Sequence, residues 1–214
     1  TLTAQLPTRE LWSIHTPKLE EAFLAIVIMG IVFVQNITML EVWQDILRGL
    51  ESITGTTSYV VNFTVTFLIA MAFPVALLGI AAVLATRFNG DSVAGNFTKF
   101  GYAIIPLDIA GHIGHNLYHL LAEGKAVVFT AMPLFGLPLP EESPAIVGTA
   151  VIQALQFVLI AAGAIASLYA IYRIARTNYG EGKMISSFVA YGNLVALLVA
   201  INVWLFVLPM AMRM

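Results

Sequence analysis

Apolar positions along the chain gather into five long blocks, at about residues 22–42, 59–86, 100–121, 145–172 and 186–209. Each is long enough to cross a bilayer as a helix, which takes ~20 residues. The pattern predicts an all-α fold, a polytopic membrane helix bundle of about five transmembrane helices forming one integral membrane domain over residues 1–214. The first helix has a start signal in Thr16-Pro17-Lys18-Leu19-Glu20: Thr16 can cap, Pro17 suits the first helical position, and Glu20 and Glu21 face the positive end of the helix dipole. Pro74 predicts a kink inside the second block. The third block is the least apolar and holds Pro106, Asp108 and three histidines.

Between the blocks, Asn89-Gly90-Asp91 is a turn signal. The stretch from Lys125 to Pro144 is apolar from Ala126 to Leu139 but broken by Pro133, Pro138 and Pro140. It is too short and interrupted to span, and is expected to lie in the interface or re-enter shallowly. The Asn-x-Thr triplets at Asn36, Asn62 and Asn96 fall in spans or on the inner side, so none reads as a glycosylation site. Basic residues divide unequally between the two sides. Arg9, Lys18, Arg87, Lys99, Arg173, Arg176 and Lys183 fall on one, and Arg48, Lys125 and Arg213 on the other. The excess of Lys and Arg on the first side predicts a cytoplasmic N-terminus, in a bacterial inner membrane. Trp12, Trp43, Tyr59, Tyr118, Tyr172 and Trp204 lie at block borders, as interfacial aromatics do.

Composition agrees. The hydrophobic fraction is 59% and the charged fraction 10%, against roughly 25% charged in soluble domains. A net charge of −2 argues against a nucleic-acid partner. The absence of cysteine removes thiolate zinc sites, cysteine nucleophiles and any iron–sulfur cluster held by this chain alone.

The chemistry concentrates on the third block. Asp108, His112, His115 and His119 fall near ~0°, 40°, 340° and 20° around a helix, on one stripe that Glu123 continues near ~60°. Three of the chain's four histidines are on it. Ionisable groups inside spans are costly and face the protein interior or water. Gly111 and Gly114, on a neighbouring face, predict close approach of another helix. His112, His115, His119 and Asp108 are candidate metal ligands, with Asp108 either a ligand or the group that orients His112. Imidazole-rich sites suit copper, zinc or iron. Haem b is a further candidate, although two histidines of one helix cannot be its two axial ligands; a partner chain or a methionine such as Met71 would have to supply the other. A proton or quinone site is the third, since imidazole and carboxylate exchange protons.

Polar residues in other blocks sit at a similar depth: Gln35, Asn36, Asn62, Thr64, Gln153, Gln156 and Asn202. With Asn116 and Glu123 they suggest a shared pocket, for which Asn116, Glu123, Gln153 and Gln156 are candidate cofactor-binding residues. Interhelical hydrogen bonding, worth ~0.6 kcal/mol per contact, is the plain alternative for each amide. The cluster Met210, Met212 and Met214 reads as packing or chain terminus rather than as soft metal ligands. No His-Glu-x-x-His signature or channel filter is present.

The segment Phe100-Gly101-Tyr102-Ala103-Ile104-Ile105-Pro106-Leu107-Asp108-Ile109-Ala110-Gly111-His112-Ile113-Gly114-His115-Asn116-Leu117-Tyr118-His119-Leu120-Leu121-Ala122-Glu123-Gly124 resembles a membrane segment of bacterial polyferredoxins, relatives of the membrane ferredoxins of nitrate and nitrous-oxide respiration. The resemblance implies a membrane component that moves electrons between the quinone pool and a partner redox protein. Such proteins hold [4Fe–4S] clusters through cysteines, and this chain has none. Either the cluster-bearing part lies before Thr1, or a separate chain supplies it, or the resemblance extends only to the membrane half of such proteins. The expectation is a membrane subunit of an electron-transfer, respiratory-type oxidoreductase assembly, in contact with the lipid bilayer and with other membrane or redox subunits. A metal, haem or quinol site would lie on the third helix. The alternatives are a copper or zinc binding or transport protein and a non-catalytic scaffold subunit.

Overall fold

The computed structural model describes Leu11, Ile14 and residues 16–208. Arg9, Trp12, Met210, Met212, Arg213 and Met214 lie outside the described residues. The described residues fold as helices without strands: α1 (Leu19–Ile37), α2 (Glu41–Thr54), α3 (Tyr59–Asn89), α4 (Val93–Gly101), α5 (Ile105–Glu123), α6 (Ala126–Ala131), α7 (Thr149–Asn178) and α8 (Glu181–Val207). Among them α1, α3, α7 and α8 are long and apolar enough to cross a membrane. α5 has 19 residues, a rise of about 28 Å, but its histidines, Asn116 and Asp108 lower its hydropathy. It packs against α1 and α7, and the sequence of neighbours α1–α3–α8–α7–α5 closes into a ring.

The helices reach beyond the apolar blocks. α3 runs to Asn89, α7 to Asn178, and α8 begins at Glu181. Hydropathy marks the part of a helix immersed in hydrocarbon, whereas backbone hydrogen bonding carries the helix on into the interface. The first block behaves differently. It was expected to span residues 22–42, but α1 ends at Ile37. Thr38 Oγ1 donates to the Val34 carbonyl at 2.8 Å, and the Met39 and Leu40 N–H groups donate to Asn36 and Ile37 carbonyls. The chain turns there into α2, an amphipathic helix that buries Trp43 and Leu47 and exposes Gln44, Asp45 and Arg48. Trp43 meets Phe63 of α3 edge-on at 5.5 Å. The third block is also divided: α4 enters through a 3₁₀ turn at Tyr102–Ile104, and Pro106 sits in the first turn of α5. The Leu107 N–H, which has no partner earlier in α5, donates to Ser167 Oγ of α7 at 3.1 Å. α3 continues helically through Pro74.

Small residues set the spacing between helices. A Cβ on Gly163 of α7 would lie 2.5 Å from Ala110 Cβ and 2.9 Å from the Pro106 carbonyl of α5. At Gly111 it would meet Val32 of α1 at 3.0 Å and Asn202 of α8 at 3.2 Å, and at Gly114 the Phe206 ring at 3.1 Å. The core inside the ring is apolar, built on Ile26, Met29, Leu78, Leu107, Ile160 and Leu198. Outward faces carry exposed Leu68, Ile80, Val158 and Ile165, a surface suited to acyl chains.

The two ends of the bundle differ. At one, the turn Asn89-Gly90-Asp91 uses Gly90 at φ 76° to close α3. There Asn89 Nδ2 donates to Asn96 Oδ1 at 2.7 Å and Ser187 Oγ at 3.0 Å, and Asn96 Nδ2 donates to Thr86 Oγ1 at 3.1 Å. Asp91 accepts from Lys99 at 2.6 Å and from Tyr179 at 2.8 Å. Lys18, Arg87, Arg173, Arg176 and Lys183 belong to this end as well. At the opposite end, Lys125 N–H donates to the Pro144 carbonyl and Ile146 N–H to the Leu121 carbonyl. These two bonds close the 125–144 segment into a loop beside the end of α5. α6 and the 3₁₀ turn Met132–Phe135 lie in that loop and expose Val127, Val128, Leu134 and Phe135.

Candidate functional site

The C-terminal half of α5 faces a cavity of ≈ 260 Å³ at the loop-bearing end of the bundle. Four helices build it. α1 supplies Asn36; α5 supplies His115, Tyr118 and His119; α7 supplies Thr149, Gln153 and Gln156; α8 closes the apolar wall with Leu205 and Phe206. Met39 and Leu40, in the turn after α1, and Leu208 complete the rim.

Hydrogen bonds fix the histidine tautomers. Asn36 Nδ2 donates to the Val32 carbonyl of its own helix at 2.8 Å, so its Oδ1 faces away from that helix. Oδ1 stands 3.1 Å from His115 Nδ1. An amide oxygen can only accept, so Nδ1 carries the proton and the lone pair of the neutral ring is on Nε2. His119 Nδ1 lies 3.2 Å from Glu123 Oε2; in the neutral ring, donation to that carboxylate leaves the lone pair on Nε2. The two rings meet edge to face with centroids 4.9 Å apart. Gln156 Nε2 donates to the Gly114 carbonyl at 3.0 Å, holding α7 to α5 beneath the cavity.

The rest of the stripe is dispersed. His112 is half-buried, its Nδ1 is buried without a hydrogen-bond partner, and it lines a shallow groove with Ile109, Ile113 and Asn116 on another flank of α5. Asn116 is exposed and donates to its own helix at the His112 carbonyl, 2.8 Å away. Asp108 is 3% exposed, nearer the middle of the bundle, and its Oδ1 has no partner. Of the predicted set, the cavity therefore gathers His115, His119, Gln153 and Gln156, with Glu123 behind His119.

The predicted polar layer divides in the same way. Asn36 joins the cavity. Asn62 instead donates to the Thr56 carbonyl at the start of α3, and Thr64 to its own helix. Asn202 sits deeper, fully buried beside Met29 and Gly111, with Oδ1 unpartnered. Gln35 Oε1 is buried and unpartnered as well. Tyr118, which the sequence marks only as an interfacial aromatic, and Thr149, which it does not mark at all, also line the cavity.

Among the described residues no three His, Cys, Asp or Glu side chains come close enough to hold one metal ion. His115 and His119 each have one ring nitrogen held by an acceptor and the other available, an arrangement also found in metal-ligating histidines. A haem between them does not fit: both rings project from one helix and touch each other, so they cannot approach a macrocycle from opposite faces.

Compared with family models, with curated proteins and with solved structures, the chain matches none.

Proposed function

We propose that this chain is the membrane subunit of an electron-transfer assembly and that the cavity against α5 binds the headgroup of a quinone or quinol. The observation that carries the reading is the pair His115 and His119 in one cavity, each with Nδ1 engaged by a hydrogen-bond acceptor and Nε2 left to accept. A hydroquinone presents two O–H donors, and its oxidised form presents two carbonyl acceptors. Neutral imidazoles serve the first, and the Gln153 amide and Tyr118 hydroxyl serve the second. Size agrees: an apolar cavity of about 150 Å³ accepts benzene, and ≈ 260 Å³ leaves room for ring substituents. The apolar wall of Leu205, Phe206 and Leu208 suits the rest of a lipid-soluble molecule.

Oxidation of the bound hydroquinone to quinone releases two electrons and two protons. The electrons pass one at a time to an iron–sulfur centre of a partner protein, the class of partner implied by the resemblance of residues 100–124. The protons pass to the histidines. The gathering of Lys18, Arg87, Lys99, Arg173, Arg176 and Lys183 at the opposite end supports a cytoplasmic N-terminus in a bacterial inner membrane. The cavity then lies toward the outer leaflet. Photolabelling with an azido-quinone tests the site: label on the α5 peptide, competed by decylubiquinone, supports it, and label confined to other helices opposes it.

A second reading has one observation in its favour, the engagement of Nδ1 of both cavity histidines by Asn36 and Glu123, which also suits copper or zinc. Two imidazoles from one helix would then need further donors from Gln153, water or a partner chain.

A further inference from the structure

We infer that Glu123 is the proton exit of the cavity, taking protons from His119 and passing them to water at this end of the bundle. The inference rests on the quinol reading. It starts from the order of groups along α5. His115 is anchored toward the protein interior by Asn36. His119, one turn further, touches His115 ring to ring. Glu123, a further turn on and the last residue of α5, has its carboxylate 3.2 Å from His119 Nδ1. Side-chain exposure rises from 31% at His119 to 40% at Glu123, so the pair leads from the cavity toward the surface at this end of the bundle.

The transfer balances without another group. When His119 Nε2 accepts a proton from a hydroquinone hydroxyl, the ring becomes an imidazolium with N–H at both nitrogens. Releasing the Nδ1 proton to Glu123 Oε2 restores a neutral ring with its proton on Nε2. Glu123 then loses the proton to water, and a tautomeric return of His119 readies it for the second. The other flank of the helix offers no such route. His112 Nδ1 is buried without a partner, and its groove is lined mainly by Ile109, Ile113, Leu117 and Leu120.

The test compares wild type with Glu123→Gln and Glu123→Asp, using decylubiquinone binding to the purified chain and decylubiquinol oxidation in membranes holding the complete assembly. Glu123→Gln retains an acceptor for His119 but cannot take a proton. The expected result is binding within about twofold of wild type and oxidation slowed about a hundredfold, the scale of a lost general base. Partial recovery in Glu123→Asp and acceleration of Glu123→Gln by added acetate are expected as well. Glu123→Gln that binds and oxidises like wild type overturns the inference and leaves the quinol reading standing. Wild-type protein that binds no decylubiquinone overturns both.

Discussion

Asn36 and His115 belong to different helices and together decide which nitrogen of the imidazole is available. The Asn36 amide is held by the Val32 carbonyl at 2.8 Å, and its oxygen accepts a hydrogen bond from His115 Nδ1 at 3.1 Å. The consequence is a lone pair on Nε2 in a cavity where a hydroquinone hydroxyl would donate.

Asn36→Leu removes that acceptor while roughly conserving volume. It leaves the part-buried Nδ1–H unpaired, and the ring is free to change tautomer. Quinone affinity is expected to fall about fivefold to thirtyfold, corresponding to ~1–2 kcal/mol for one unsatisfied buried donor. Isothermal titration of the purified variant checks this, and an unchanged Kd would show that Asn36 does not orient the ring.

The α5–α7 seam has no room at Gly163. Gly163→Val is expected to push α7 away from Ala110 and Pro106, costing about 1–3 kcal/mol as overpacking does. A lower midpoint in thermal unfolding, followed by circular dichroism in detergent, is the expected outcome. Gly148→Ala is the matched control, because a Cβ there meets nothing within 4 Å.

The polar end predicts a pH dependence. Burial pushes the Asp91 carboxyl up, but hydrogen bonds from Lys99, Tyr179 and the Ser92 N–H outweigh it and hold the group below the ordinary aspartate range. A carboxyl with a depressed native pKa contributes stability that is fully present above its unfolded value of about 3.9 and is lost as pH falls through the native value. Asp91→Asn should therefore be less stable than wild type at pH 6, by about 1–2 kcal/mol. The gap should narrow as pH drops below about 4. Unfolding midpoints of both proteins from pH 6 downwards measure it; a gap that stays constant would assign the loss to packing.

Orientation is open to direct labelling because the chain has no cysteine of its own. Single cysteines at Glu141, in the loop beside α5, and at Gly182, at the start of α8, report the two ends. In intact cells a membrane-impermeant maleimide is expected to label Glu141→Cys and to reach Gly182→Cys only after lysis. The reverse pattern would invert the topology.

Much of this architecture is written in hydropathy. The apolar blocks locate the long helices because burying a backbone in hydrocarbon forces it into helix. Gly111 and Gly114 likewise announce a close helix contact, and Val32, Asn202 and Phe206 provide it. The break after Ile37 was not legible, since Met39 and Leu40 remain apolar while the backbone changes direction. Angular position on one helix was also too coarse a guide to the site. Asp108, His112, His115 and His119 share a stripe, yet only His115 and His119 reach the cavity, and His112 lines a separate groove. Asn36 carried a usable signal as an amide at the same depth. Leu205 and Phe206 carried none, because their role depends on where α8 ends relative to α5.

The central claim is that the α5 cavity binds a quinone through His115 and His119, and equilibrium binding of decylubiquinone to the purified chain in nanodiscs tests it most directly. Saturable binding with a Kd of about 1–10 μM, near −8 to −7 kcal/mol, is expected. It should weaken at least about tenfold in His115→Ala/His119→Ala and stay unchanged in His112→Ala, whose ring lines a different groove. Absence of saturable binding in wild type, or equal binding by the double variant, would contradict the account.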